Sequence, residues 1–191
     1  MKLNRRNLSL ILPALLLAVA AVAGARVFAA DSSGMPQAGQ KAPSFTLPDQ
    51  DGKTHSLKSY KGHVVVLAFY PADFTGGCTI EAHTMTAAYK DFQAAGITPV
   101  GISVQDVKSH KGFCEKEGIP YTLLADTGRK AATEYGVLMG GPTGVANRVT
   151  YIIGKKGHVV YVDPDVNSHL TTCAEDWINW VKAHQSLVDS Q

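Results

Sequence analysis

The stretch HVVVLAFYPADFTGGCT, residues 63–79, decides how the rest of the chain is read. Its first half is a nearly continuous apolar run with three consecutive valines, the pattern of a strand buried on both faces. Its second half turns at Pro71, passes two glycines and reaches Cys78, one of three cysteines in 191 residues. A helix is expected from Cys78 to about Ala95, ended by Gly96. Met85, Ala88 and Phe92 fall on one of its faces, and nothing in the sequence breaks the run. Cys78 therefore stands where a buried strand hands over to a helix.

Similar units follow on both sides. SFTLPDQDGKTHSLKSY (44–60) reads as two short strands around a turn at Asp51–Gly52. ITPVGISV (97–104) is a second apolar strand. DVKSHKGFCEKEG (106–118) is a polar helix, expected to be exposed, with Asp106 as N-cap and Gly118 at its end. YTLLAD (121–126) is a third strand, followed by a short helix around Lys130 to Tyr135. RVTYIIGKKGHVVYVD (148–163) is a hairpin turning at Gly154–Gly157. In the closing segment, CAEDWINWVKAH, Trp177, Trp180 and Val181 share a helical face. Strands alternating with helices, then a hairpin and a last helix, give a three-layer α/β domain with a mixed central sheet flanked by helices. The strand at 63–70 is central, and open α/β sheets keep their sites at the carboxyl ends of such strands.

The first thirty residues are of a different kind. MKLNRRN is positively charged, and Leu8 to Ala25 is apolar and free of charge. Small residues suited to a signal peptidase follow at Ala23 and Ala25, or Val27 and Ala29. Residues 1–30 are expected to be a signal peptide or an N-terminal anchor, for about 18 apolar residues could just span a bilayer. Arg5–Arg6 also resembles a twin-arginine signal. Either way the chain is expected to be exported, to a bacterial periplasm or to a membrane facing it. Residues 31–43, rich in Gly, Pro, Ser and Gln, read as a linker before a domain at 44–191. Four of the 18 basic residues lie in the first thirty; without them, 14 basic residues face 16 acidic ones, a net charge of −2. That balance gives no electrostatic reason to expect nucleic-acid or anionic-lipid binding.

Export bears on the cysteines. Cys78, Cys114 and Cys173 are an odd number in a compartment that oxidises thiols, and sequence alone leaves three pairings open. A helix start favours a thiolate, through its free amides and its macrodipole. Gly76 and Gly77 leave space around the sulfur, Thr75 and Thr79 bring hydroxyls, and Glu81 could hold neighbouring groups in place. The alternative is a half-buried N-capping cysteine without chemistry.

Pro71, Thr75 and Cys78 spell P-x-x-x-T-x-x-C, and the string FYPADFTGGCTIE resembles the peroxiredoxins, specifically the peroxiredoxin Q or bacterioferritin-comigratory-protein subfamily. The resemblance runs over about residues 38–163, including SHKGFCEKEGIPYTLLAD and RVTYIIGKKGHVVYV. It implies a thioredoxin-like fold and a peroxidase that needs no cofactor or metal. By resemblance, Cys78 would be the peroxidatic thiolate, which attacks a hydroperoxide and becomes a sulfenic acid. Thr75 would hydrogen-bond sulfur and peroxide, Pro71 would shield the site, and Arg148 would lower the thiol pKa and polarise the substrate. Amides of Gly77 and Cys78 would complete the pocket. Two positions depart from the subfamily: Gly76 replaces its usual proline, and His83 stands where many members carry a second cysteine.

His83 is not a metal partner of Cys78, since five residues of helix leave two side chains roughly 140° apart. Cys114, 36 residues after Cys78, resembles the resolving cysteine that other members carry in the following helix. An intramolecular disulfide would then be reopened by a thioredoxin-like reductant, after local unwinding of both helices. Cys173 has no matching role. A thiol–disulfide oxidoreductase would need C-x-x-C, but Thr75 and Glu81 hold those positions. An exported metal-binding protein and a redox-sensing protein remain as rival readings. Without a C-terminal cysteine extension of the kind that serves intersubunit resolution, a monomer is expected.

Overall fold

The computed structural model describes residues 34–191, so the signal or anchor segment lies outside the described residues. The core is built on β3 (Val64–Phe69), in which every residue is buried. Alternation along the strand sends Val64, Val66 and Ala68 into one core and Val65, Leu67 and Phe69 into the other. A strand apolar on both faces has to lie at the centre of a sheet, and β3 does.

The sheet runs β5-β4-β3-β8-β9. β4 (Ile97–Ser103) and β5 (Thr122–Ala125) extend it in parallel, while β8 (Val149–Ile153) and β9 (Val159–Asp163) extend it antiparallel. This is the mixed α/β sheet, of thioredoxin-like type, expected from the sequence. β1 (Thr46–Pro48) and β2 (Thr54–Ser56) form a separate small hairpin, as do β6 (Leu138–Met139) and β7 (Val145–Ala146). α1 (Gly76–Ala87), α2 (Tyr89–Ala94), α3 (Val107–Glu117), α5 (Cys173–Ala183) and α6 (Gln185–Ser190) contribute to one core, and α4 (Lys130–Glu134) to the other.

Three expectations change. The single helix expected from Cys78 to Ala95 starts at Gly76 and breaks at Ala88. Thr84 Oγ1 donates to the Ile80 carbonyl one turn back (3.0 Å) and to the Leu170 carbonyl (2.9 Å), and such back-bonding bends helices. The linker reading of 31–43 does not hold for its described part. Gly39 N–H donates to Val159 O, Val159 N–H to Gln40 O, and Ala42 N–H to Gly157 O, at 2.8–3.0 Å, so this segment is tied to the free edge of the sheet at the start of β9. The polar helix α3 is not wholly exposed: His110 and Phe113 are buried beneath it.

α5 is amphipathic as expected, with Trp177 and Val181 buried and Trp180 stacked on Tyr161 at 4.8 Å. Trp177 Nε1 donates to Asp163 Oδ2 at 2.7 Å, tying α5 to the end of β9. Trp177→Phe is expected to lower unfolding stability by about 2 kcal/mol, measured in urea, because the buried carboxylate loses a donor.

Candidate active site

β3 ends at Phe69, and the loop from Tyr70 to Thr75 carries the chain to α1. Thr75 is the N-cap residue and Cys78 the third residue of the helix. The first backbone bond of this turn runs from Thr79 N–H to the Thr75 carbonyl (2.8 Å), so the amides of residues 76–78 have no intrahelical partner. Cys78, Glu81, Ala82 and Met85 form the buried face of α1, at i, i+3, i+4 and i+7. This spacing places Glu81 one turn above the thiol.

Arg148 arrives by strand register. Val149 pairs with Phe69 across β3 and β8, which brings residue 148 beside the end of β3, where the loop begins. Its guanidinium Nη2 donates to Cys78 Sγ at 3.2 Å, Nη1 donates to Glu81 Oε2, and Nε donates to Asn167 Oδ1 at 2.9 Å. Arg148 is 5% exposed, Glu81 3% and Cys78 2%. A permanent positive charge therefore meets the sulfur in a nearly dry site, where an anionic sulfur is the state it stabilises.

Burial pushes the Glu81 carboxyl up to about 7; Arg148 pulls the other way, and the nearby Asp163 adds to the rise. Its Oε1 is buried without a partner. The other two thiols are held protonated. Burial, aided by the charges of Asp73 and Asp51, pushes Cys114 up to about 12. Cys173 is buried, donates to the Leu170 carbonyl at 3.4 Å, and has its pKa raised chiefly by burial, with Glu81 adding.

Of the residues expected from the sequence, the structure brings Cys78 and Arg148 into contact. Pro71 is half-buried at the start of the loop. Thr75 caps the helix by position, but its hydroxyl donates to the Ala72 carbonyl (3.0 Å) and not to the sulfur. Cys114 lies half-buried in α3, and Cys78 and Cys114 are both free thiols. The two glycines differ. A Cβ on Gly77 would stand 3.2 Å from Arg148 Nη2, the nitrogen that faces Cys78, whereas one on Gly76 would meet nothing within 4 Å. The sequence reading missed Asn167, and it passed over Asp73 and His110, which lie in a buried hydrogen-bonded cluster beside the loop.

Two predictions follow from this geometry. Gly76→Pro places proline at the first helical position, where its missing N–H is not needed, and should stabilise the fold by about 0.4–1 kcal/mol. Gly77→Ala presses on the guanidinium and should slow the reaction of Cys78 with hydrogen peroxide by about tenfold or more in stopped-flow kinetics. A third concerns pH. The folded state holds the Glu81 proton more tightly than the unfolded state does, so this group costs stability as pH rises from the ordinary carboxylate range towards 7. Urea midpoints should fall across that interval, and Glu81→Gln should fall less.

Comparisons with known proteins give the family. The AhpC/TSA family matches residues 38–162. The chloroplastic peroxiredoxin Q of Populus jackii is 50% identical over 121 residues, which are 63% of this chain and 57% of that protein. The chain thus spans a little under three-fifths of the length of such curated relatives, at 57%. The crystal structure of the peroxidoxin BcpB from Mycobacterium tuberculosis superposes with a TM-score of 0.73 at 30% identity, covering 78% of this chain and 98% of that one. The bacterioferritin comigratory protein of Xanthomonas campestris, described for its alkyl peroxide reduction activity, gives 0.71 at 27% identity, covering 78% and 99%. With the P-x-x-x-T-x-x-C loop and the Arg148–Cys78 contact in place, the chain belongs to the AhpC/TSA family, among its peroxiredoxin Q members.

Proposed function

We propose that the protein is a thiol peroxidase that reduces hydrogen peroxide and organic hydroperoxides at Cys78. The observation that carries this reading is the 3.2 Å approach of Arg148 Nη2 to Cys78 Sγ at the open start of α1. The thiolate attacks one peroxide oxygen, an S–O bond forms, the O–O bond breaks, and the leaving oxygen takes a proton to depart as water or alcohol. The guanidinium and the free amides of Gly77 and Cys78 stabilise the charge that develops on the oxygens. Pro71 borders the site, and Thr75 can still accept a hydrogen bond from the incoming peroxide through its oxygen. The alkyl peroxide activity named for the Xanthomonas campestris relative supports the inclusion of organic substrates.

The second half-reaction uses Cys114. Its thiolate attacks the Cys78 sulfenic acid, an S–S bond forms, and water leaves; a thioredoxin-like dithiol then takes over the disulfide and returns both thiols. A thiol with a pKa near 12 is a poor nucleophile at neutral pH, so α3 has to loosen and expose Cys114 before resolution. The metal-binding reading is disfavoured by Arg148, which sets a fixed positive charge where a cation would have to sit. A location outside the cytosol rests on residues 1–30 alone and is tested by N-terminal sequencing of the mature protein.

The test is a single turnover. Reduced protein receives one equivalent of hydrogen peroxide, is quenched with an alkylating reagent, and its thiols are mapped by peptide mass. A rapid Cys78–Cys114 disulfide is expected. Oxidised Cys78 with free Cys114 would make the resolving thiol external, and an unreacted Cys78 would end the peroxidase reading. Arg148→Lys, which loses the planar fork, should lower the rate of Cys78 oxidation by about 100-fold.

A further inference from the structure

Asp73 lies inside the catalytic loop, yet its hydrogen bonds lead away from Cys78. Its carboxylate accepts from the Tyr70 hydroxyl (2.8 Å), from Ser109 Oγ (2.6 Å) and from His110 Nδ1 (2.9 Å). The side chains of Asp73 and His110 are 1% and 0% exposed. Burial pushes the Asp73 carboxyl up, but the hydrogen bonds from His110 and Ser109 outweigh it and hold it below the usual range. The other ring nitrogen of His110 faces the Leu124 carbonyl at 3.2 Å. The same nitrogen lies 3.5 Å from Ser103 Oγ, and Nδ1 lies 3.3 Å from the Tyr70 hydroxyl, so the ring is held between the catalytic loop and the ends of β4 and β5.

Two of these three donors belong to the first turns of α3, the helix that carries Cys114. The next loop residue leans on the same helix. Phe74 has φ 58°, a left-handed conformation that strains a residue of its kind. Its ring packs edge-on against Phe113 at 5.1 Å, and Lys116 Nζ sits 5.4 Å from its centre. The catalytic loop is thus held in shape by α3, and α3 is held in place by the loop. Breaking one contact set weakens the other, because a buried carboxylate left short of donors is costly.

We propose that Asp73, Ser109 and His110 form a latch that sets how often α3 lifts from the catalytic loop. Closed, it keeps the Cys78 pocket assembled and Cys114 sequestered as a thiol. Open, it releases the loop and α3 together and frees Cys114. The three are positioning residues, acting on Cys78 only through the loop. The use made of the freed Cys114, attack on oxidised Cys78, rests on the peroxidase reading; the latch itself does not.

The test is the rate at which a small alkylating reagent modifies each cysteine of the reduced full-length chain, mapped by peptide mass. Cys173 serves as an internal reference, because burial in the α5 core makes it report global opening. Ser109→Ala is expected to speed Cys114 modification by about tenfold, with the Cys173 rate unchanged. Ser109→Thr should restore protection, and Asp73→Asn should exceed Ser109→Ala. An unchanged Cys114 rate in folded Ser109→Ala protein overturns the latch. So does equal acceleration of Cys114 and Cys173, which would mean loss of overall stability. A separate arm adds one equivalent of hydrogen peroxide. If no Cys78–Cys114 disulfide appears in wild type while Cys114 protection responds as expected, the pairing fails and the latch stands.

Discussion

A buried guanidinium has to be compensated from several sides, and most of the site can be understood as the means of doing so. Arg148 has an oxygen from Asn167, a carboxylate from Glu81 and the sulfur of Cys78 around one planar group. Each comes from a different part of the chain: the turn at Val166–His169, the second turn of α1, and its first turn. Removing any one leaves a charge short of partners in a nearly dry site, which is costly. The sulfur is therefore part of the structural balance of Arg148 as well as its chemical target. Oxidation of Cys78 alters the group that satisfies Nη2, so the chemistry reaches directly into the packing.

Strand register is what makes the arrangement possible. β8 runs antiparallel to β3 and meets it with Val149 opposite Phe69. A slip of one residue would turn Arg148 to the other face of the sheet, away from α1. Both strands are buried throughout and send alternate side chains into two different cores, so a slip would exchange side chains of different size between them. Packing far from the thiol thus sets the position of its cationic partner.

The sequence displayed the fold more openly than the site. The triple valine of β3 and the turns around Gly154 and Gly157 follow from local chemistry, and they appear where expected. The break at Ala88 left no mark in the linear pattern, and the Thr84 hydroxyl near it also meets the Leu170 carbonyl, 86 residues away. The inner face of α3 was hidden for a related reason. Ser109 and His110 look like solvent-facing residues, and their burial is offset by Asp73, which the linear pattern does not place near them. In the site, Cys78 was marked by its glycines and helix start, and Glu81 only as a group able to hold its neighbours in place. Arg148 was legible only through family resemblance, since nothing local distinguishes it from a surface charge.

The segment lying along β9 has a consequence for association. Residues 39–42 occupy the outer hydrogen-bonding edge at the start of β9. At the opposite edge, Asp49 bridges to Leu124, and the Gln50 side chain takes the Leu123 N–H at 2.9 Å. Among the described residues, each margin of the central sheet is thus capped at part of its length, at Val159 on one side and at Leu123–Leu124 on the other. These caps shorten the edge that another chain could use to extend the sheet by adding a strand. Docking of a partner is thereby biased towards side-chain surfaces, where specificity is set by shape and charge and a single substitution can abolish it without touching the fold.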